Sequence, residues 1–284
     1  MCLTGCAFKK SRVALSCIVI ATMLSPCLVV AQTNPSATPS LDLPMEDGHY
    51  LVKSICVEEP VAVLPGVYLG IWRDTTDLCA ALDVQPEADV LDVGTGSGIL
   101  AITALERGAR FVVATDINPR AVDNARLNAR LRGVADRLDA RLVPGDQPGA
   151  FSVIGDDERF DLITCNCPAF DADVQSYDEA NAFDPGHQLV ISLIQGLNAH
   201  LKPGGKLLMT YWSDTGIELL RRLADENDLQ LNLPEVNPRR KQPPDVSHDI
   251  NRTDLYNIPK DKIKDTLTGN ERTMIVEITR RPAG

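Results

Sequence analysis

The chain has 284 residues, 44% hydrophobic and 24% charged, with a formal net charge of −11 at pH 7. That composition excludes a disordered or fibrous chain and allows one large or two small globular domains. The acidic balance disfavours non-specific binding to nucleic acid, while leaving room for a local basic patch.

Residues 1–31 differ in kind from the rest. Lys9, Lys10 and Arg12 precede an apolar run from Val13 to Leu24, followed by Pro26 and the small residues Val29-Val30-Ala31. This order of charge, apolar run and small residues predicts a secretory signal peptide. The apolar stretch, taken as 13–30, is also long enough for an uncleaved membrane anchor. Bases before it and none after it until Lys53 place the folded part outside the cytoplasm. An unused segment would leave the protein cytoplasmic. The segment carries three bases and no acid, so without it the net charge falls from −11 to −14.

Residues 32–44 are polar and proline-punctuated and read as a linker, which leaves 45–284 as one domain. Four of the eight cysteines (Cys2, Cys6, Cys17, Cys27) lie in the leading segment. Cys56, Cys79, Cys165 and Cys167 form no C-x-x-C pair and have no histidine at ligand spacing. No metal site is expected from them, and buried free thiols are.

His49 to Val57 alternates like a short hairpin strand, and Asp74 to Leu82 has helical spacing with Asp74 placed to cap it. Strands are predicted near 88–93, 110–115, 139–144, 160–165 and 205–211. Helices are predicted near 97–107, 119–132, 185–201 and 214–227. Asn118 as cap and Pro119 in the first helical position start the second of these helices, and Gly204-Gly205 ends the helix that finishes at Leu201. A last strand spans Thr273 to Thr279. Strand and helix alternating at this spacing argue for an α/β fold, a mostly parallel sheet with helices on both faces. The polar stretch 236–271, with Arg239-Arg240-Lys241, is too long for an ordinary connection and reads as a substrate-side loop or a disordered one.

Chemistry concentrates at Val90-Leu91-Asp92-Val93-Gly94-Thr95-Gly96-Ser97-Gly98-Ile99-Leu100. It reads as a buried strand, a turn with glycine at alternate positions and the start of an apolar helix. Glycine there lets backbone approach a ligand closely, and such crossovers are where open α/β sheets bind nucleotide-like molecules. The dinucleotide fingerprint does not fit, because Gly98 comes one place too early, and the Gly-Lys-Ser/Thr of a phosphate loop is absent. Downstream, Asp116 ends the second strand in Thr115-Asp116-Ile117-Asn118-Pro119, where a carboxylate can accept both hydrogens of a ribose diol. Asp146 follows the third strand, and Asn166-Cys167-Pro168-Ala169-Phe170 follows the fourth.

These motifs resemble those of the class I S-adenosylmethionine (SAM)-dependent methyltransferases, most closely the HemK-type protein-glutamine enzymes and their small-domain relatives. The resemblance runs over about residues 66–211 and includes Val67-Tyr68 with Asp74-Thr75, Asn124, Asn128, Asp184-Pro185-Gly186 and Leu201-Lys202-Pro203-Gly204-Gly205. It implies a Rossmann-like, mostly parallel seven-stranded sheet whose last strand inserts antiparallel. It also implies SAM as cofactor, held by Asp92, Gly94, Thr95, Gly96, Gly98, Asp116, Ile117, Asp146 and Asn166, with Asp146 accepting from the adenine amine. Asn166 and Pro168 would be catalytic and would orient a planar acceptor nitrogen, on a protein side chain (glutamine-like) or a small molecule; positioning is most of such catalysis. Cys167 stands where the family has its first proline and Ala169 where it has an aromatic residue, which leaves glutamine as the acceptor open.

Two other readings stand beside this one. An exported, catalytically silent binding protein would reconcile the leading segment with a cofactor made in the cytoplasm. A nucleic-acid N-methyltransferase would need base flipping and a basic surface, and Arg239-Arg240-Lys241 is its only support. His187, near a helix start, reads as capping or exposed rather than as a base. Cys165 and Cys167 are alternate residues of an extended segment and are expected to point apart.

Overall fold

The computed structural model describes residues 45–46, 49–52, 56–70, 73–168, 170–212, 216–234 and 273–282. The expectations for the 1–31 segment, the 32–44 linker, Ala169 and the 236–271 loop lie outside these residues. No helix among the described residues is long and apolar enough to cross a membrane.

Three short antiparallel strands come first: β1 (Met45–Glu46), β2 (His49–Val52) and β3 (Val61–Val63). The strand expected over 49–57 therefore stops at Val52, and Cys56 to Glu59 turn back toward β3. Helix α1 (Arg73–Ala81) starts one residue early, which puts Asp74 in its first turn instead of at its cap. Cys56 and Cys79 are joined in a disulfide across a Cα–Cα distance of 5.6 Å, which corrects the expectation that both are free thiols. No local spacing announces this bond. It arises because the turn after β2 folds back onto α1.

The main sheet contains β4 (Asp89–Val93), β5 (Phe111–Asp116), β6 (Leu138–Leu142), β7 (Phe160–Asn166), β8 (Leu201–Trp212), β9 (Leu229–Asn232) and β10 (Thr273–Arg280). Their order is β6-β5-β4-β7-β8-β10-β9; β10 runs antiparallel between β8 and β9, and the other neighbours are parallel. This is the α/β sheet that strand–helix alternation predicts, with the antiparallel last strand that the family resemblance implies. β9, an edge strand of four residues, was too short to stand out.

Helices α2 (Ile99–Glu106) and α3 (Pro119–Leu131) join α1 on one face; α5 (Gln188–His200) and α6 (Gly216–Glu226) cover the other. Alternation along the strands separates the two cores, since side chains two apart share a face. Val90, Val112, Ala114 and Leu162 enter the first core, and Leu91, Val93, Val113, Ile163 and Cys165 the second. Helix α3 begins as predicted, with the Asn118 side chain accepting from Arg120 N at 3.0 Å and Pro119 in the first turn. By contrast, Gly204-Gly205 do not end α5. The chain is already extended at Leu201, so they lie within β8, where the register against β7 shifts between Phe160 and Leu162 to take up the extra residues.

Asn124 and Asn128, one turn apart on α3, bind the small sheet to the main one. Asn128 Oδ1 accepts from Ala62 N at 2.9 Å, and its Nδ2 donates to Ala62 O and Ser97 O at 2.8 Å each. Asn124 makes the matching set with Leu64 N, Ala62 O and Ser97 O. Both side chains are buried, so truncation strands backbone groups away from water. Asn128→Ala is expected to lower unfolding free energy by about 2–4 kcal/mol, read from the midpoint of a urea melt.

Candidate active site

The sheet reverses its winding at β4, whose neighbours are β5 on one side and β7 on the other. Ligands of open α/β sheets bind beyond the carboxyl ends of the strands at such a point. A cavity of about 370 Å³ opens there, lined by the last residues of these strands, Val93, Thr115, Asp116, Cys165 and Asn166, and by the turn Gly94 to Ser97.

The turn after β4 is tied down at several points. Thr95 N donates to Thr115 O at 2.9 Å, and Gly98 N to Thr95 O at 2.8 Å. Gly96 N donates to Asp116 Oδ2 at 2.9 Å, while Asn118 N donates to Oδ1 of the same carboxylate at 2.8 Å. Gly94 has φ +68°, and a Cβ there would meet nothing within 4 Å. The wall of the cavity is thus bare backbone, leaving space that a ligand could fill. Ser97 Oγ, on the same wall, is buried and has no hydrogen-bond partner.

Charge at this end of the sheet is poised. Burial pushes the Asp116 carboxyl up to about 6 against the backbone donors Asn118, Gly96 and Ile117. The Asp92 carboxyl also rises to about 6, first by burial and in part because Asp116 is a like charge nearby. A cationic group entering the cavity would favour the ionised form of both. Among the described residues, no three His, Cys, Asp or Glu side chains gather to hold a metal.

The cavity gathers Gly94, Thr95, Gly96, Asp116, Ile117, Asn166 and Pro168 from the sequence-predicted set. Three others stand apart. Asp92 is fully buried behind the turn and accepts from Thr95 Oγ1 at 2.7 Å and Thr164 Oγ1 at 2.8 Å. It positions the turn rather than facing the cavity, because Asp92 shares its face of β4 with Val90 and lies beside Thr164 of β7, under α2. Gly98 is a packing residue, since a Cβ on it would come within 2.9 Å of Ala125 Cα on α3. Asp146 is exposed on the turn after β6, and the cavity is bounded there by Val143, Pro148, Gly149 and Ala150 instead.

Asn166, the last residue of β7, is held by two threonines: Nδ2 donates to Thr75 Oγ1 at 3.0 Å, and Oδ1 accepts from Thr210 Oγ1 at 2.5 Å. The two hydroxyls, each able to donate or accept, hold the amide from both ends. Each end keeps one further hydrogen-bonding position. Cys165 and Cys167 do not point apart. β7 ends at Asn166, so Cys167 has left the pleat, and its thiol donates to Cys165 Sγ across 2.8 Å. This contact, together with burial, pushes the Cys165 thiol up.

Of the outer wall, the resemblance marks Val67-Tyr68, Asp74-Thr75 and Phe170 without placing them against the cavity. Tyr68 lies over Gly96 and donates from its hydroxyl to the Asp74 carboxylate. Phe170 and Phe183 form a bridge with ring centroids 6.2 Å apart, and Tyr177 of the short helix α4 (Tyr177–Ala180) lines the same side. For Tyr177 and Phe183, only the apolar residues scattered through 170–183 hinted at this wall. Asp184 belongs to the helix behind it and accepts from Leu189 N and Val190 N at 2.9 and 3.2 Å; burial raises its carboxyl. His187 does not cap α5 with its side chain, and its Nδ1 lies 3.1 Å from the Tyr211 hydroxyl.

Residues 65–171 match the family described as ribosomal protein L11 methyltransferase (PrmA). The chain is 38% identical over 158 residues to the release factor glutamine methyltransferase of Cereibacter sphaeroides, covering 49% of this chain and 54% of that protein. It is 37% identical over 155 residues to the ribosomal protein L11 methyltransferase of Symbiobacterium thermophilum, covering 53% and 42%. The chain therefore spans about half the length of these curated relatives. The crystal structure of a SAM-dependent methyltransferase from Agrobacterium tumefaciens shares the fold, with a TM-score of 0.51 at 12% identity over 86% of this chain and 74% of that one.

Proposed function

We propose that this chain, whose sequence core and sheet order are those of the class I SAM-dependent methyltransferases of the HemK and small-domain kind, transfers a methyl group to a nitrogen of a protein side chain. The observation that carries the reading is the meeting of the bare Gly94 wall, Asp116 and Asn166 in one cavity at the sheet's switch point. The residues suit SAM: a carboxylate for a diol, backbone and an unpartnered Ser97 hydroxyl beside it, and an acidic site for a cation. Bound there, SAM supplies an electrophilic methyl group on a sulfonium centre.

The chain's own residues would then do three things. Asp116 accepts the diol hydrogens while Gly96 N and Asn118 N keep it in place. Asn166, immobilised by Thr75 and Thr210, offers its remaining acceptor position to a substrate N–H and so fixes the nitrogen's approach, which is where an amide or amine gains most of its reactivity. The wall of Tyr68, Phe170 and Tyr177 shields the nitrogen from water. A protein acceptor is supported by the two relatives, named for acting on a release factor and on ribosomal protein L11.

The test is a calorimetric titration of the full chain with SAM. Micromolar binding is the expected result. A folded chain that binds none would sink the reading and favour a silent binding protein on the same fold.

Acidity should matter in one direction. Asp116 must be ionised to accept two hydrogens, and burial holds its carboxyl at about 6 in the free protein. Affinity for SAM is expected to be flat above pH 7 and to fall by up to about tenfold per unit below pH 6, as binding must first remove a proton. Titrations between pH 5 and 8 check this.

A further inference from the structure

We infer that Cys165 and Cys167 are a redox modification site, a dithiol that closes to a disulfide across Asn166 and thereby disables the cavity. The two sulfurs lie 2.8 Å apart, roughly 0.8 Å longer than a covalent S–S bond of about 2.05 Å. Both thiols are free and buried, and both residues line the cavity, so a small oxidant reaches them by the same path as a ligand. Among the described residues the other two cysteines, Cys56 and Cys79, are already joined to each other.

A peroxide is the oxidant the geometry admits. Cys167 is 8% exposed and Cys165 not at all, so Cys167 reacts first. Its sulfur attacks one peroxide oxygen, the O–O bond breaks, and a sulfenic acid and water result. The Cys165 sulfur then attacks the sulfenic sulfur; the S–S bond forms, and the hydroxyl leaves as water with the Cys165 proton. Two electrons pass from the sulfurs to one peroxide, and two waters are released. A dithiol reductant reverses the change by thiol–disulfide exchange, and a ring this small belongs to the strained, easily reduced class.

Closing the ring must turn the peptide groups on either side of Asn166. Its amide is held at 3.0 Å by Thr75 and at 2.5 Å by Thr210, so the rotation draws it off both partners. Cys165 also pairs with Val93 across the sheet, and Val93 is the residue before Gly94. The strain therefore reaches the wall that the proposed cofactor would touch; this switching half rests on the function proposed above, whereas disulfide formation does not.

The experiment treats the full chain and its C165S variant with hydrogen peroxide, then alkylates, digests with trypsin and weighs the Phe160–Lys206 peptide, whose only cysteines are these two. The wild-type peptide is expected to lose two hydrogens and resist alkylation until reduced. Two alkylated cysteines after oxidation, or sulfinic acid in place of the disulfide, would overturn the inference. Amide hydrogen exchange over 93–98 and 164–168 is expected to change on oxidation in wild type only. SAM affinity, relative to each protein's untreated value, is expected to fall at least tenfold in wild type and to hold in C165S. A disulfide that alters neither exchange nor affinity would overturn the switch. Absence of SAM binding in the reduced chain would instead count against the proposed function, with mapping and exchange still deciding the dithiol.

Discussion

Replacing Asp116 by alanine is expected to weaken SAM binding about 100-fold. The carboxylate sits at the end of β5 with one oxygen on Gly96 N and the other on Asn118 N, so its plane is set before any ligand arrives. A diol hydrogen-bonded to an ionised carboxylate contributes about 1.5–3 kcal/mol per bond, and losing about 3 kcal/mol corresponds to roughly two orders of magnitude in affinity. Alanine also releases Gly96 N, which loosens the turn that forms the bare wall. Asp116→Asn keeps one acceptor oxygen but sets its NH2 against Gly96 N or Asn118 N, so the loss should fall between about tenfold and that of alanine. The fall in affinity below pH 6 should shrink to the part that Asp92 carries. Calorimetry on both variants, with thermal melts to show that each is folded, reads the outcome. Affinity within threefold of wild type in Asp116→Ala would place the cofactor elsewhere.

The sheet was legible because its strands are buried and its helices amphipathic. Val90 to Val93, Val112 to Ala114 and Leu162 to Cys165 announce themselves as short, near-continuous apolar runs, and Asn118-Pro119 marks a helix start by local chemistry alone. The glycine turn and Asp116 were equally plain as strand-end features, since both lie within a few residues of a strand end. What stayed hidden depends on contacts between distant segments. Asp92 looked like a ligand residue, yet Thr164 of the neighbouring strand holds it under α2. Gly98 looked like part of the cradle, yet it is small because Ala125 packs on it. Asp146 sits where the family resemblance put it in the sequence, but its turn carries it to the surface. The Cys56–Cys79 bond and the Tyr68–Asp74 contact belong to the segment folded over the first core, which periodicity cannot dock. Cys167 escaped because alternation holds only while the strand lasts, and the strand ends one residue before it.

Replacing Asn166 by alanine is expected to lower methyl transfer by about 100-fold or more while changing SAM affinity less than tenfold, because the lost group positions the acceptor. The side chain is unusually well fixed for a residue at a strand end. Thr75 comes from the first turn of α1 and Thr210 from β8, so three separate elements agree on the orientation of one amide. In the proposed role such a residue aims a nitrogen and does not need to change its own protonation. Asn166→Asp should therefore retain more activity than alanine, since a carboxylate still accepts from the substrate and from Thr210 while the Thr75 hydroxyl turns to donate. Thr210→Val leaves Asn166 present but unanchored, and is expected to lower kcat with little change in KM for the cofactor. The readout is incorporation of labelled methyl groups from SAM into a protein extract, followed for all three variants at saturating cofactor. Full turnover in Asn166→Ala would show that the acceptor is aligned by the Tyr68–Phe170 wall instead, and Thr210→Val would then be silent as well.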